Sequence, residues 1–538
     1  MLITSVPGAG KTRIVQAKVI RESALLVDSP RRVACLTYTN AGVSELERRI
    51  LPSLRESARD RVLLGTLHSF FINEIVVINA PRMPELVGRS NVATPEHPVA
   101  ELIIESILAH EPEERELRWF SEVRRNLDGS PFPHSDLAAA DIETYWQMLY
   151  DAGYIDLAGV TYYAYQIVNR LPDVAKALGA GFSWIVIDEY QDTSGTQLAT
   201  LRRIAEASPD TRWLLIGDFN QSIFGFNGVS KTDLVQFGEL VEAKLPVLHS
   251  SYRCPTSVIE QALRLIPEPK MKSIDATKRG EVIHHVGAIT HAVDEFIRLL
   301  NERGIDYPHA AVIAPFNSML ATASESLDAR NIPWRPQFRI PGETLVAKAV
   351  FAVLAYAHHE IPEHLDHAIS EVESLLNGLR VHIDQDRIAE VIVGQSPRLG
   401  EALSRMGYSE AVAEVASALA ELVPNYALAR LDDALRLSLR PSLLRGTPLE
   451  RWGSITLARR VCDHDAMALA TIHGAKGLEF AAVMFVGFEK GVIPHQKSNN
   501  NDEEIRKVYV AITRSSNLLV YSNRPYRESP LLKVALGV

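Results

Sequence analysis

Apolar residues in this chain follow two rhythms. Short runs bounded by turn formers read as buried strands, and between them apolar positions return at helical spacing. Leu2-Ile3, Arg32-Val33-Ala34-Cys35-Leu36-Thr37, Arg61-Val62-Leu63-Leu64-Gly65, Trp184-Ile185-Val186-Ile187 and residues 212–216 form a first series of strands. Helices through Ile14, Val15 and Val19, through Val43, Leu46 and Ile50, and through Leu198, Leu201 and Ile204 separate them. A second series of strands falls at 282–285, 310–314, 467–471, 481–486 and 518–521, with a helix at 502–513. Two stretches break the alternation. Residues 73–180 carry helical patterns around 99–110, 141–150 and 161–171, separated by loops such as Ser130-Pro131-Phe132-Pro133, and residues 361–459 are again rich in helix formers.

This pattern predicts an α/β protein with two units, each a parallel sheet flanked by helices and each interrupted by a helical insertion. The first unit is expected over 1–72 and 181–245, with its insertion at 73–180. The second is expected over 246–360 and 460–538, with its insertion at 361–459.

Composition changes this picture little. A chain of 538 residues exceeds one compact core, and 46% hydrophobic with 23% charged residues suits a globular protein. The net charge of −10 gives no overall basic footprint, so a nucleic-acid partner would have to be held in a local groove. Cys35, Cys254 and Cys462 are far apart and lack CxxC spacing, which speaks against zinc or a disulfide framework and suits a reducing cytoplasm. The N-terminus enters a glycine-rich loop without a signal peptide, and no apolar run is long enough to span a bilayer, so a cytoplasmic protein without a membrane partner is expected.

That loop, Ser5-Val6-Pro7-Gly8-Ala9-Gly10-Lys11-Thr12, lies between a strand and a helix. Glycines let backbone N–H groups converge on anionic oxygens, the helix N-terminus adds partial positive charge, Lys11 can reach β/γ-phosphates and Thr12 can offer its hydroxyl to Mg²⁺. Asp188-Glu189 ends an apolar strand, where an Asp can hold Mg²⁺ and a neighbouring Glu can activate the attacking water.

Asp188-Glu189-Tyr190-Gln191-Asp192 resembles motif II of the superfamily 1A DNA helicases related to UvrD, Rep and PcrA. The other motifs follow in that family's order. Leu36 to Ala41 resembles motif Ia, Gly65 to Phe70 motif Ib, Gly217-Asp218 with Gln221 to Phe224 motif III, and Ser251-Tyr252-Arg253 motif IV. Thr471 to Phe480 resembles motif V, and Glu503-Glu504 with Tyr509 to Arg514 motif VI.

The resemblance implies two RecA-like domains with ATP and Mg²⁺ between them. Ser5, Gly8, Ala9, Gly10, Lys11 and Thr12 would hold the phosphates, Tyr252 would stack on the adenine and Glu479 would contact the ribose. Thr12 and Asp188 would serve the metal. Glu189 and Gln221 would act in hydrolysis, with Arg253 and Arg514 arriving from the second unit as arginine fingers. The spacing of Arg506, Val510 and Arg514 places them on one helical face. Phe224 and Phe226 would be stacking platforms for single-stranded DNA, and Thr37, Tyr38, Thr66, His68, Thr471, His473 and Lys476 would line its path.

Several positions depart from the family's pattern. Ser5 stands where the first glycine is usual, Asn220 for an Asp, Asn227 for an Arg and Ser251 for an Asn, and the family's upstream Gln motif has no counterpart between Met1 and Ser5. The expected activity is that of an ATP-dependent helicase moving 3′→5′ on single-stranded or partly duplex DNA, in DNA repair or antiphage defence. The alternative is a DNA-sensing regulatory ATPase that controls a separate nuclease subunit, as the helicase subunits of Gabija-type antiphage systems do.

Overall fold

The computed structural model describes residues 1–537 except 27–28, 90, 96, 111, 113, 224–228, 338–343, 380, 440–452, 462–464, 497 and 499–500. The chain divides into two compact units, Met1–Arg279 with Asn500–Tyr509, and Gly280–Asn499 with Val510–Val538. Each is built on a parallel six-stranded sheet.

In the first unit, β1 (Leu2–Ser5), β2 (Arg32–Thr37) and β3 (Val62–Thr66) precede a mostly helical stretch containing the small ladder of β4 (Asn91–Val92) with β5 (Tyr154–Ile155). The sheet resumes with β6 (Phe182–Ile187), β7 (Arg212–Gly217) and β8 (Val247–Leu248), and its strand order is β3-β2-β6-β7-β1-β8. Period-two alternation gives this sheet two greasy faces. Leu2, Leu36, Ile185, Ile187 and Leu215 face one core, while Ile3, Val33, Cys35, Val186, Leu214 and Ile216 face the other.

The intervening stretch has a split allegiance. The π-helical turn Phe71–Val76 and the helix Leu157–Arg170 contribute Phe71, Ile75, Val160 and Ile167 to the sheet's core. Helices Pro98–Leu108 and Ala139–Asp151 instead enclose a separate core around Phe120, Tyr145 and Trp146. Asp156 joins the two parts, capping Leu157–Arg170 through Gly159 N–H at 2.6 Å and accepting from Trp146 Nε1 at 2.9 Å.

One expected boundary moves. The second unit was expected to open at 246, yet β8 pairs with β1 (Thr4↔Val247, Ser5↔Leu248) and completes the first sheet. A further ladder of β9 (Ser250–Ser251) with β10 (Lys272–Ser273) keeps the chain on the first unit as far as Arg279. A two-residue strand carries too little pattern to be read from sequence.

The second unit orders its strands β11-β16-β15-β12-β14-β13: β11 (Glu281–Val286), β12 (Ala310–Ala314), β13 (Trp334–Gln337), β14 (Met467–Thr471), β15 (Phe480–Val486) and β16 (Ser515–Asn523). The edge strand β13 contains Pro336, which hides it from a strand pattern. Helix Leu345–His359 buries Val346, Ala347 and every residue from Ala349 to Ala357. A helix apolar on all sides belongs inside a core. It packs with Pro362–Gly378 and Gln385–Leu403 in one hydrophobic cluster continuous with the sheet. Among the described residues, no helix is long and apolar enough to cross a membrane.

Candidate nucleotide site

β1 delivers Ser5 to the start of the loop, where its hydroxyl donates to Gly217 O at 3.3 Å and fastens the loop to β7. Gly8 and Gly10 both take positive φ, 70° and 85°, which L side chains rarely adopt. Gly10 caps helix Lys11–Ala24 in the left-handed conformation and no side chain caps the helix. Its first N–H groups therefore point toward the loop's concavity, which suits an anion.

The Ser251-Tyr252-Arg253 segment lies against this loop within the same unit. Tyr252 N–H donates to Gly8 O at 2.9 Å, and Ser251 Oγ accepts from Cys254 N–H at 3.0 Å. A Cβ on Gly8 would stand 2.5 Å from Arg253 Cβ and 2.8 Å from Ser251 Oγ, so no side chain fits there. The Tyr252 ring lies 3.9 Å from where a Cβ on Gly10 would be, yet Tyr252 is 61% exposed. An exposed aromatic ring thus sits beside the glycine-rich loop. Arg253 was expected to come from the second unit. It belongs to the first, because β8 and β9 hold its segment there.

β6 ends at the paired carboxylates. Asp188 N–H donates to Leu36 O at 2.8 Å, and its buried carboxylate accepts from Glu189 N–H at 2.9 Å. Burial, reinforced by the neighbouring Glu189 and opposed by Lys11, pushes the Asp188 carboxyl up to about 7. Glu189 has φ 52°, an uncommon conformation outside glycine. Its Oε1 lies 4.0 Å from Lys11 Nζ. Burial also raises the Asp218 carboxyl at the end of β7, with Lys11 and the Gln221 amide pulling the other way. Gln221 Nε2 donates to Asp218 Oδ2 at 2.6 Å. Thr12 occupies the second position of the helix that follows the loop.

Among the expected DNA-path residues of this unit, Thr37 is buried at the end of β2, and Tyr38 follows half-buried. Thr66 caps helix Leu67–Phe70 in a reciprocal pair with Ser69. His68 is half-buried, and burial together with the nearby Arg124 guanidinium pushes its imidazole down to about 4. Phe224 and Phe226 lie outside the described residues, as does Asn227.

In the second unit, Thr471 ends β14 and its hydroxyl accepts from Gly474 N–H at 3.1 Å. His473 and Lys476 follow half-buried, Gly477 turns with φ 84°, and Glu479 is exposed. Arg514 departs from the expected helical face, because helix Asn501–Ile512 stops before it. The Arg514 side chain folds back and is 1% exposed. Its Nε–H donates to Val510 O at 2.9 Å, Nη1 to Leu478 O at 3.2 Å and Nη2 to Thr513 Oγ1 at 3.2 Å.

Sequence reasoning assigned no role to Gln191, Asp218 or Ser251, all of them buried in the site's framework. The Gly217-Asp218 pair at a strand end was the available signal for the second. Gln191 and Ser251 lie within the Asp188–Asp192 and Ser251–Arg253 motifs, but those motifs did not show what either side chain holds.

Residues 1–241 match the UvrD/REP helicase N-terminal domain, and residues 455–524 match the UvrD-like helicase C-terminal domain. The ATP-dependent DNA helicase PcrA of Staphylococcus epidermidis is 24% identical over 617 aligned residues, covering 98% of this chain and 82% of that protein. PcrA of Staphylococcus aureus is 24% identical over 610, covering 98% and 81%.

Proposed function

We propose that this chain, which carries the two helicase domains of the UvrD family, is an ATP-driven 3′→5′ translocase on single-stranded DNA. The observation that supports this reading best is the phosphate cradle. An uncapped helix N-terminus, two left-handed glycines, Lys11 within 4.0 Å of Glu189, buried Asp188 and an exposed Tyr252 against the loop belong to one part of the first unit.

The residues fit ATP with Mg²⁺. One carboxylate and a threonine hydroxyl are a sparse protein donor set, suited to a metal that keeps its waters and shares phosphate oxygens. Asp188 is a buried carboxylate resisting ionisation, a state that a divalent cation would reverse. When bound, Mg²⁺·ATP supplies the transferable phosphoryl group and the charge that neutralises it.

The chain's own groups then divide the work. The loop N–H groups and Lys11 hold the phosphates, and Thr12 and Asp188 hold the metal. Glu189 accepts the proton of the attacking water, Gln221 orients it, and Arg253 and Arg514 stabilise developing negative charge. Tyr252 offers its face to the base, and Glu479 a carboxylate to the ribose. Thr37, Tyr38, Thr66, His68, Thr471, His473 and Lys476 contact phosphate and sugar, while Phe224 and Phe226 stack on bases at ~1–3 kcal/mol each.

The test is ATP hydrolysis and strand displacement with the purified chain, on duplexes bearing 3′ or 5′ single-stranded tails. DNA-stimulated hydrolysis with displacement from the 3′ tail alone supports the proposal. DNA-stimulated hydrolysis with no displacement from either tail would favour a regulatory ATPase working beside a nuclease subunit, in defence rather than repair. Hydrolysis indifferent to DNA would overturn both.

A further inference from the structure

Gln191 lies in the short turn Tyr190–Asp192 after β6 and is 3% exposed. Its side-chain amide faces two ways. Nε2 donates to Glu189 Oε2 at 2.5 Å, while Oε1 accepts from Asp218 N–H at 3.0 Å. Its backbone carbonyl accepts from Ser222 Oγ at 3.3 Å, so the same residue grips the turn after β7 at two points.

The approach is close by construction. A Cβ on Gly217 would stand 2.2 Å from Gln191 Oε1, so β7 can present the Asp218 N–H to this amide only by passing through a glycine. Asp218 in turn holds Gln221 through Oδ2 and the N–H of Asn220 through Oδ1, at 2.6 and 3.0 Å. Glu189 itself sits at positive φ, a conformation that persists only where surrounding bonds over-determine it. One of those bonds comes from Gln191, and a hydrogen bond to a carboxylate is among the stronger kinds.

We propose that Gln191 is a positioning residue that fixes the Glu189 carboxylate against the Asp218–Gln221 turn, so that a shift in that turn reaches the carboxylate through one amide. This rests on the assignment of Glu189 as the base in hydrolysis. A glutamine that merely satisfied buried polar groups would make similar bonds. The two roles differ in how their loss combines with loss of Glu189.

The experiment is steady-state ATP hydrolysis by the full chain at saturating single-stranded DNA, for Gln191→Leu, Glu189→Gln and the double variant. Gln191→Leu should lower kcat by ~10-fold or more while KM for ATP stays within ~3-fold, since an aid to the base acts in the transition state. On the Glu189→Gln background the same change should cost less than ~2-fold, because residues that act as a unit are not additive. Gln191→Glu preserves the side-chain volume and an oxygen that can accept from Asp218, but sets a carboxyl against Glu189 in place of the donor. It should lower kcat at least as far as Gln191→Leu, and it takes over the cycle if the leucine variant unfolds. Equal fold losses in both backgrounds, or an unchanged kcat, would overturn the proposal. If Glu189→Gln alone keeps more than ~a tenth of turnover, the assignment of the base fails first and this proposal falls with it.

Discussion

The carboxyl ends of the two sheets treat charge in opposite ways. At the first, burial pushes Asp188 up to about 7 and raises Asp218, while Lys11 stands 4.0 Å from Glu189 without closing on it. At the second, the Thr471 hydroxyl accepts from Gly474 N–H, and the Arg514 guanidinium donates to two backbone carbonyls and a hydroxyl. The first end gathers buried and half-buried charges that the proposed nucleotide and metal would neutralise. At the second, the described bonds of Thr471 and Arg514 run largely to the chain's own backbone. Binding at the first should therefore change electrostatics more than shape, and damage at Arg514 should cost stability in nucleotide-free protein as well as the charge proposed for hydrolysis.

The largest expected effect breaks the first end without touching its fold. Glu189→Gln keeps volume and removes the proposed base, so kcat for ATP should fall by ~10²-fold or more while nucleotide affinity remains. Steady-state kinetics beside equilibrium binding of a fluorescent ATP analogue separates the two.

The counterpart at the second end is Arg514→Met. It removes three hydrogen bonds from a charged donor and leaves Val510 O and Leu478 O without that donor. At roughly 1.5–3 kcal/mol per bond to a charged group, partly offset by the apolar replacement, the cost should be a few kcal/mol of stability. Thermal unfolding should show the loss even in nucleotide-free protein.

A smaller effect is expected at Gly8→Ala. The new Cβ meets Arg253 Cβ at 2.5 Å, and the positive φ of 70° penalises any L side chain. The left-handed conformation alone costs ~1–2 kcal/mol, enough to weaken nucleotide binding by ~10-fold. Isothermal titration with a non-hydrolysable ATP analogue measures it. An unchanged affinity would mean that the Ser251–Arg253 segment moves off the loop when nucleotide binds.

These contrasts also show what the sequence could reveal. The loop from Ser5 to Thr12 and the Asp188-Glu189 pair are contiguous, and each sits where an apolar strand meets a turn, so their placement follows from local pattern. Most strands of both sheets were legible for the same reason. What escaped depends on distance in sequence. Arg253 joins the first unit only because Val247–Leu248, too short to carry a period, pairs with β1. Gln191 gains its meaning from Asp218, which lies 27 residues away. Arg514 was placed on a helical face by spacing, yet the helix ends at Ile512, and the side chain is directed by carbonyls that no periodicity encodes.

The smallest expected effect concerns His68, another group at the first sheet whose charge is suppressed. Burial and the Arg124 guanidinium hold its imidazole down to about 4, against an ordinary value of 6.5. Between those two values the unfolded chain binds a proton that the folded chain does not, so stability rises with pH across that window and is lost as pH falls through it. His68 should therefore pull the melting temperature down between pH 7 and pH 5, against Asp188, whose raised carboxyl makes the fold gain stability as pH falls, so the quantity to read is the difference between wild type and His68→Gln, roughly 2–4 °C for a domain of this size. Arg124→Gln sharpens the test, because it removes the repelling charge and should shrink the same difference while leaving the histidine in place. A wild-type melting temperature that tracks that of His68→Gln across this range would show that the imidazole is not suppressed. The same reasoning makes His68 a neutral donor near pH 7, so the DNA-phosphate contact proposed for it would carry no titrating charge. Single-strand affinity measured at fixed salt should then change by less than ~2-fold between pH 6.5 and 8, and a fall in affinity over that range that disappears in His68→Gln would mean instead that the DNA recruits a protonated His68.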